Sequence, residues 1–153
     1  MVIRALPLLL AVFFAGGCFG DQKQTLQEAV FEYTHGVRWG RDADVTRYLA
    51  AAGQQRYLAA RERIADLRVT KCRVTGVRTA SPQRATVVLS VAWFRLSRGK
   101  VRRSVVEQDW RLKGTQWRVV RQAVVRGAML PIFPNPAAAT SLKSSLERRP
   151  SQI

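Results

Sequence analysis

Acid–base chemistry in this chain would have to centre on His35, its single histidine. Imidazole is the side chain best suited to moving a proton near neutral pH. Glu32 lies three positions before it, close enough for the two to meet along one helix. Glu107 and Asp109 are the other acidic candidates. They share strand parity with Arg103 and Arg111, opposite to Val106, Trp110 and Leu112, which predicts a solvated, ion-paired face for both. A pocket reaction of isomerase or dehydratase type would therefore rest on His35, the weak catalytic candidate. No nucleophile–base–acid set and no glycine-rich phosphate loop is visible. With one histidine and no cysteine pair there is no metal-ligand set, so neither a metal nor a cofactor is expected.

The two cysteines, Cys18 and Cys72, stand in unlike surroundings. Cys72 sits in an alternating apolar stretch and is expected to be a buried, inert thiol, since a reactive one needs a nearby base or cation. The aromatic residues offer a second kind of chemistry. Tyr33, Trp39, Trp93, Trp110 and Trp117, with His35, are the residues that would line a ligand pocket. Each tryptophan also occurs in a pattern that would bury it, so core packing is the first expectation for them.

Cys18 follows a different logic. Arg4 supplies a short positive region, and the apolar run from Ala5 to Ala15 is too short to cross a bilayer, which takes about 20 residues. Its length suits the hydrophobic section of an export signal. The segment Ala15-Gly16-Gly17-Cys18 that ends it resembles the lipobox of bacterial lipoproteins, with Ala15 where Leu is usual. The resemblance implies cleavage before Cys18, a lipidated (palmitate-bearing) terminus there, and a lipid bilayer as the first partner. Residues 1–17 would be the signal peptide and 18–24 a polar tether. An Asp after the cysteine would favour the inner membrane; Phe19 stands there, which points to the periplasmic face of the outer membrane.

The charge balance narrows the remaining partners. There are 26 Lys+Arg against 10 Asp+Glu, a net +16. Such a surface attracts polyanions. The cations are scattered rather than gathered in a groove, so nucleic acid is disfavoured as a partner. Arg68, Arg73, Arg78, Arg95, Arg103, Arg111, Arg118 and Arg121 are the expected carriers if a basic sheet face adheres to anionic envelope polymers. An envelope protein and a second copy of the chain, as a homodimer, are the other partners left open.

The elements that must position these residues divide the chain in two. Leu26, Ala29, Val30, Tyr33 and Val37 recur at helical spacing, with Phe31, His35 and Trp39 on an adjacent face. The apolar arc is wide enough to predict burial on more than one side, and Gly40 predicts the stop. Asp42 is expected to cap a second helix that Gly53 interrupts, and Tyr57, Ala60, Ile64 and Leu67 mark a third. From residue 68 the period turns to alternation. Val69 to Val77 reads as a strand with a bulge near Cys72. Ala85 to Leu96 reads as a central strand. Val101 to Lys113 and Gln116 onward read as a final hairpin across Gly114-Thr115. The proline-rich stretch after Gly127 predicts a mobile tail over 127–153.

Helices first and antiparallel hairpins after them make an α+β fold, with helices on one face of a curved sheet. The opening helix, the Trp93-Phe94 strand end and the hairpin Trp110-Arg-Leu-Lys-Gly114-Thr-Gln-Trp117 resemble the cone-like nuclear transport factor 2-like superfamily, which includes SnoaL-like and ketosteroid-isomerase-like proteins. The resemblance spans residues 25–126 and implies an apolar pocket between sheet and long helix. Members are enzymes, binders or assembly domains, so the fold alone assigns no activity. The reading it favours is a non-enzymatic envelope lipoprotein that binds a small apolar ligand or an envelope protein.

Overall fold

The structure, a computed structural model, describes residues 24–133. The expected signal segment, Cys18, the expected tether up to residue 23 and the stretch 134–153 lie outside the described residues. Three helices, α1 (Leu26–Trp39), α2 (Asp42–Tyr48) and α3 (Ala51–Arg63), precede four strands. These are β1 (Leu67–Ser81), β2 (Arg84–Arg95), β3 (Arg102–Lys113) and β4 (Gln116–Gly127). The strands form an antiparallel meander in the order β1-β2-β3-β4. The expected α+β architecture is the observed one.

Local chemistry sets the limits of α1. The Thr25 hydroxyl accepts from the Glu28 amide at 3.2 Å, and the Glu28 carboxylate accepts from the Thr25 amide at 3.0 Å. This reciprocal cap satisfies two amides that the first turn leaves without partners. At the other end Gly40 takes the left-handed conformation with φ 66°, as its place after Trp39 predicts. Between these ends the helix buries Ala29, Val30, Tyr33 and Val37.

Three helix details depart from expectation, the first being that α3 ends at Arg63, so that Leu67, expected on it, opens β1. Asp42 caps nothing; its carboxylate accepts from the Tyr57 hydroxyl at 2.8 Å and from Arg61 at 3.1 Å, tying α2 to α3. Gly53 lies inside α3, and the break falls at Leu49 and Ala50 instead. There the backbone turns to the sheet: the Ala50 amide donates to the Val119 carbonyl at 3.2 Å. An amide taken up by a strand is lost to the helix.

Along β1 the register shifts between Val69 and Lys71 and again between Val74 and Gly76. These two bulges bracket Cys72 and return Leu67, Val69, Cys72, Val74 and Val77 to one face despite the broken parity. The same face of β2 and β3 buries Val87, Leu89, Val91, Trp93, Val106 and Trp110. The helices cover it, and the core forms between them. On the opposite face Arg121 pairs with Asp109 at 2.8 Å and with Glu107 at 3.5 Å, and Arg78 approaches Glu107 at 3.7 Å. Glu107 and Asp109 thus occupy the ion-paired side that their parity predicts. Arg95 breaks from the expected basic face: it lies opposite Leu67 in the ladder and binds Asp66 at 3.0 Å.

Packing carries the body past the expected limit at residue 126. Leu130, Ile132 and Phe133 are all but fully buried in the core. The ladder ends at Gly127, before Pro131, and the apolar side chains that follow still find the core. The Ala128 amide donates to the Arg103 carbonyl at 2.9 Å, so the turn out of β4 is also held.

Candidate functional site

The interior beneath α1 is filled. Trp110 and Tyr33 meet edge to face at 5.6 Å between ring centroids, and both are fully buried. Their polar atoms close a small network. The Tyr33 hydroxyl donates to Gln122 Oε1 at 2.8 Å, Gln108 Nε2 donates to the same oxygen at 3.1 Å, and Trp110 Nε1 donates to Gln108 Oε1 at 3.2 Å. Nearby, Trp93 Nε1 donates to the Ser104 hydroxyl at 2.8 Å, and that hydroxyl donates to the Ala128 carbonyl. Every group in these contacts is neutral. Burial pushes the Tyr33 hydroxyl well above its ordinary range, so it stays protonated. The network fixes side chains and offers no base.

The open space lies on the other side of α1. A groove of about 1470 Å³ runs between that helix and β1, the edge strand of the sheet. Leu26, Val30, Phe31, His35 and Trp39 form one wall, and Cys72, Val74 and Val77 form the other. Spacing of four places Phe31, His35 and Trp39 in a row along the helix. The Phe31 and His35 rings are stacked with centroids 6.0 Å apart, and His35 and Trp39 are 6.1 Å apart. The Arg38 guanidinium lies 5.2 Å from the Trp39 ring centre, a cation–π contact.

This wall is wet. Phe31 is 67 % exposed and Trp39 62 %, while across the groove Val77 is 50 % exposed. The expectation that α1 would be buried on more than one side fails here. The sheet and α2 cover one arc of the helix, and nothing among the described residues covers the Phe31–His35–Trp39 arc.

The residues singled out for a pocket therefore separate. Tyr33, Trp93, Trp110 and Trp117 belong to the core, whereas His35 and Trp39 stand on the groove. The structure does not bring the six into one cavity. Phe31, Arg38, Val74 and Val77 complete the groove and were absent from that set. The four-residue spacing of Phe31, His35 and Trp39 was a legible signal. The contribution of β1 was hidden by its bulges.

Acid–base geometry at His35 is absent. Its neighbours in the row are aromatic, and no side chain among the described residues hydrogen-bonds its ring. Glu32 points elsewhere, accepting from the Tyr48 hydroxyl and from Arg47 at 3.2 Å. Cys72 lies at the groove floor, and burial pushes its thiol up to about 12 although Arg38 acts in the opposite direction. A thiol so placed stays protonated at neutral pH and is a poor nucleophile. What the groove can do is bind: it offers aromatic faces, aliphatic side chains and the cation Arg38.

No protein-family model and no curated protein matches the chain. Among solved structures, a SEC-C motif containing protein from Rhodopseudomonas palustris is similar over 69 % of this chain and 82 % of its own, with TM-score 0.55 and 11 % identity. A domain of unknown function with a cystatin-like fold from Nostoc punctiforme matches over 79 % of this chain and 93 % of its own, with TM-score 0.50 and 14 % identity. At such identities the likeness is one of fold. Helices laid across one face of a curved antiparallel sheet are the cystatin-like arrangement, and a nuclear transport factor 2-like domain is compatible with it.

Proposed function

We propose that this chain is an exported, lipid-anchored and non-enzymatic binding module of nuclear transport factor 2-like type, which takes an apolar partner in the groove between α1 and β1. The observation that carries the binding part is the aromatic row with Phe31 67 % and Trp39 62 % exposed. Large exposed aromatic side chains gathered with aliphatic ones mark interaction sites. A filled, neutral interior and an unpartnered imidazole argue against a pocket enzyme. Ion pairing of Glu107 and Asp109 with the sheet arginines lessens the pull of that face on polymers.

The anchoring part is carried by Ala15-Gly16-Gly17-Cys18 at the end of a short apolar run. The anchor's place is the periplasmic face of the outer membrane, on the strength of Phe19. More than one acyl chain makes such anchoring durable, at about 0.8 kcal/mol per buried CH₂. Mass spectrometry of the membrane-extracted protein tests it. The expected product begins at an acylated Cys18; an intact Met1 or a bare thiol at Cys18 would overturn it. For the groove, binding of the apolar anion anilinonaphthalene sulfonate to the native protein is expected to fall severalfold in a Phe31→Ser, Trp39→Ser double variant. Unchanged binding would move the site off α1.

A further inference from the structure

The groove has one feature that a purely apolar partner would not require. Arg38 lines it and makes no salt bridge among the described residues. The one carboxylate in the lining, Glu28, sits at the Thr25 end and is engaged in the helix cap. Exposed Phe31 and Trp39 beside the unpaired Arg38 make a surface that is at once apolar and cationic. Interfacial helices meet a bilayer in this way: aromatic rings enter the headgroup and acyl boundary while cations face the lipid phosphates.

The chain path agrees. Thr25 and Leu26 line one end of the groove, next to Gln24, where the described residues begin. Between Cys18 and Gln24 an extended chain spans at most about 20 Å. The aromatic row runs along a helix of 14 residues, about 21 Å long. An anchor at Cys18 would therefore hold this side of α1 within reach of the membrane along its whole length.

We propose that the Phe31–His35–Trp39 side of α1 docks on the surface of an anionic bilayer, with Arg38 on the headgroups. The docking rests on the lipid-anchor reading for its local concentration, and names the membrane as the occupant of the groove. A second copy of the chain is a poorer fit, because the full sequence carries a net +16 and pairing would set like charge against like.

The tryptophans provide a selective reporter. Trp39 is 62 % exposed, whereas Trp93, Trp110 and Trp117 are at most 5 % exposed. Membrane-extracted full-length protein is reconstituted into vesicles of phosphatidylcholine with about 30 % phosphatidylglycerol, the acyl chains brominated. Flotation reports attachment, and quenching of tryptophan emission by bromine reports insertion of Trp39. The expected result is a blue shift with quenching that disappears in Trp39→Phe and falls severalfold in pure phosphatidylcholine. An Arg38→Gln variant should lose about fivefold in apparent affinity for anionic vesicles, measured on protein that starts at Phe19. Flotation without Trp39 quenching would overturn the docking while leaving the anchor intact. Quenching by protein whose Cys18 proves unacylated would support the docking and sink the anchor. Equal quenching in neutral vesicles would overturn the role given to Arg38.

Discussion

Gln108 shows at single-residue scale why the interior is structure rather than chemistry. Its amide is fully buried and bridges Trp110 and Gln122. Gln108→Leu keeps the volume but deprives the indole N–H of its acceptor, an unmade buried bond that costs about 1–3 kcal/mol. Urea denaturation should read that loss, with anilinonaphthalene sulfonate binding at the groove unchanged. Asp66 tests the electrostatics. The Ser97 hydroxyl, with the Arg95 guanidinium behind it, holds its carboxyl down to about 2 from an ordinary 3.8. The folded value lies below the unfolded one, so this stabilisation is fully present above about pH 4 and is lost as the pH falls towards 2. Asp66→Asn should flatten the stability profile in that window and leave it unchanged in shape above it. A variant whose acid limb matches the parent would show that other carboxylates govern the limb.

At the scale of the element, periodicity was read well where one face meets one core, and poorly where two structures share a segment. The four strands followed from alternation, or for β2 from a nearly continuous apolar run, and the Gly40 stop from glycine's tolerance of positive φ. The break between α2 and α3 did not, because it is made by a hydrogen bond from Ala50 to β4, a contact between positions far apart in the chain. The wide apolar arc of α1 was legible, but apolar type alone does not say whether a face meets protein or something else. That is why Phe31 and Trp39 were expected inside. The end of β4 offers a sharper test. Gly127 has φ 90°, and a Cβ there would stand 2.3 Å from the Arg103 carbonyl oxygen. Gly127→Ala should cost about 1–3 kcal/mol from strain and clash together. Thr25→Ala, which removes one cap bond at the start of α1, should cost about 1 kcal/mol. Thermal melts that rank the two variants in the reverse order would contradict the turn geometry.

For the molecule as a whole, the sheet has a helix-covered face and an arginine-rich one, and the covered face needs a plug at its far end. The segment after β4 supplies it. Leu130 and Phe133 have no measurable exposure and Ile132 has 1 %. Composition had marked this stretch as tail, because prolines end ladders; it did not register that three large apolar side chains in four positions must go somewhere. Full burial of such a side chain is worth about 1.5–3 kcal/mol, and the whole stability of a domain is only about 5–15 kcal/mol. Ending the chain at Arg126 removes all three and should leave a body that does not fold cooperatively. Single truncations are the quantitative test: Phe133→Ala should cost about 3–5 kcal/mol and Leu130→Ala about 2–5 kcal/mol. Phe31→Ala, an aromatic of the same kind on the open groove, should cost well under 1 kcal/mol. Chemical denaturation of the three variants decides between them. Equal losses at Phe31 and Phe133 would mean that the groove wall is core, and the face offered to the membrane would then be closed.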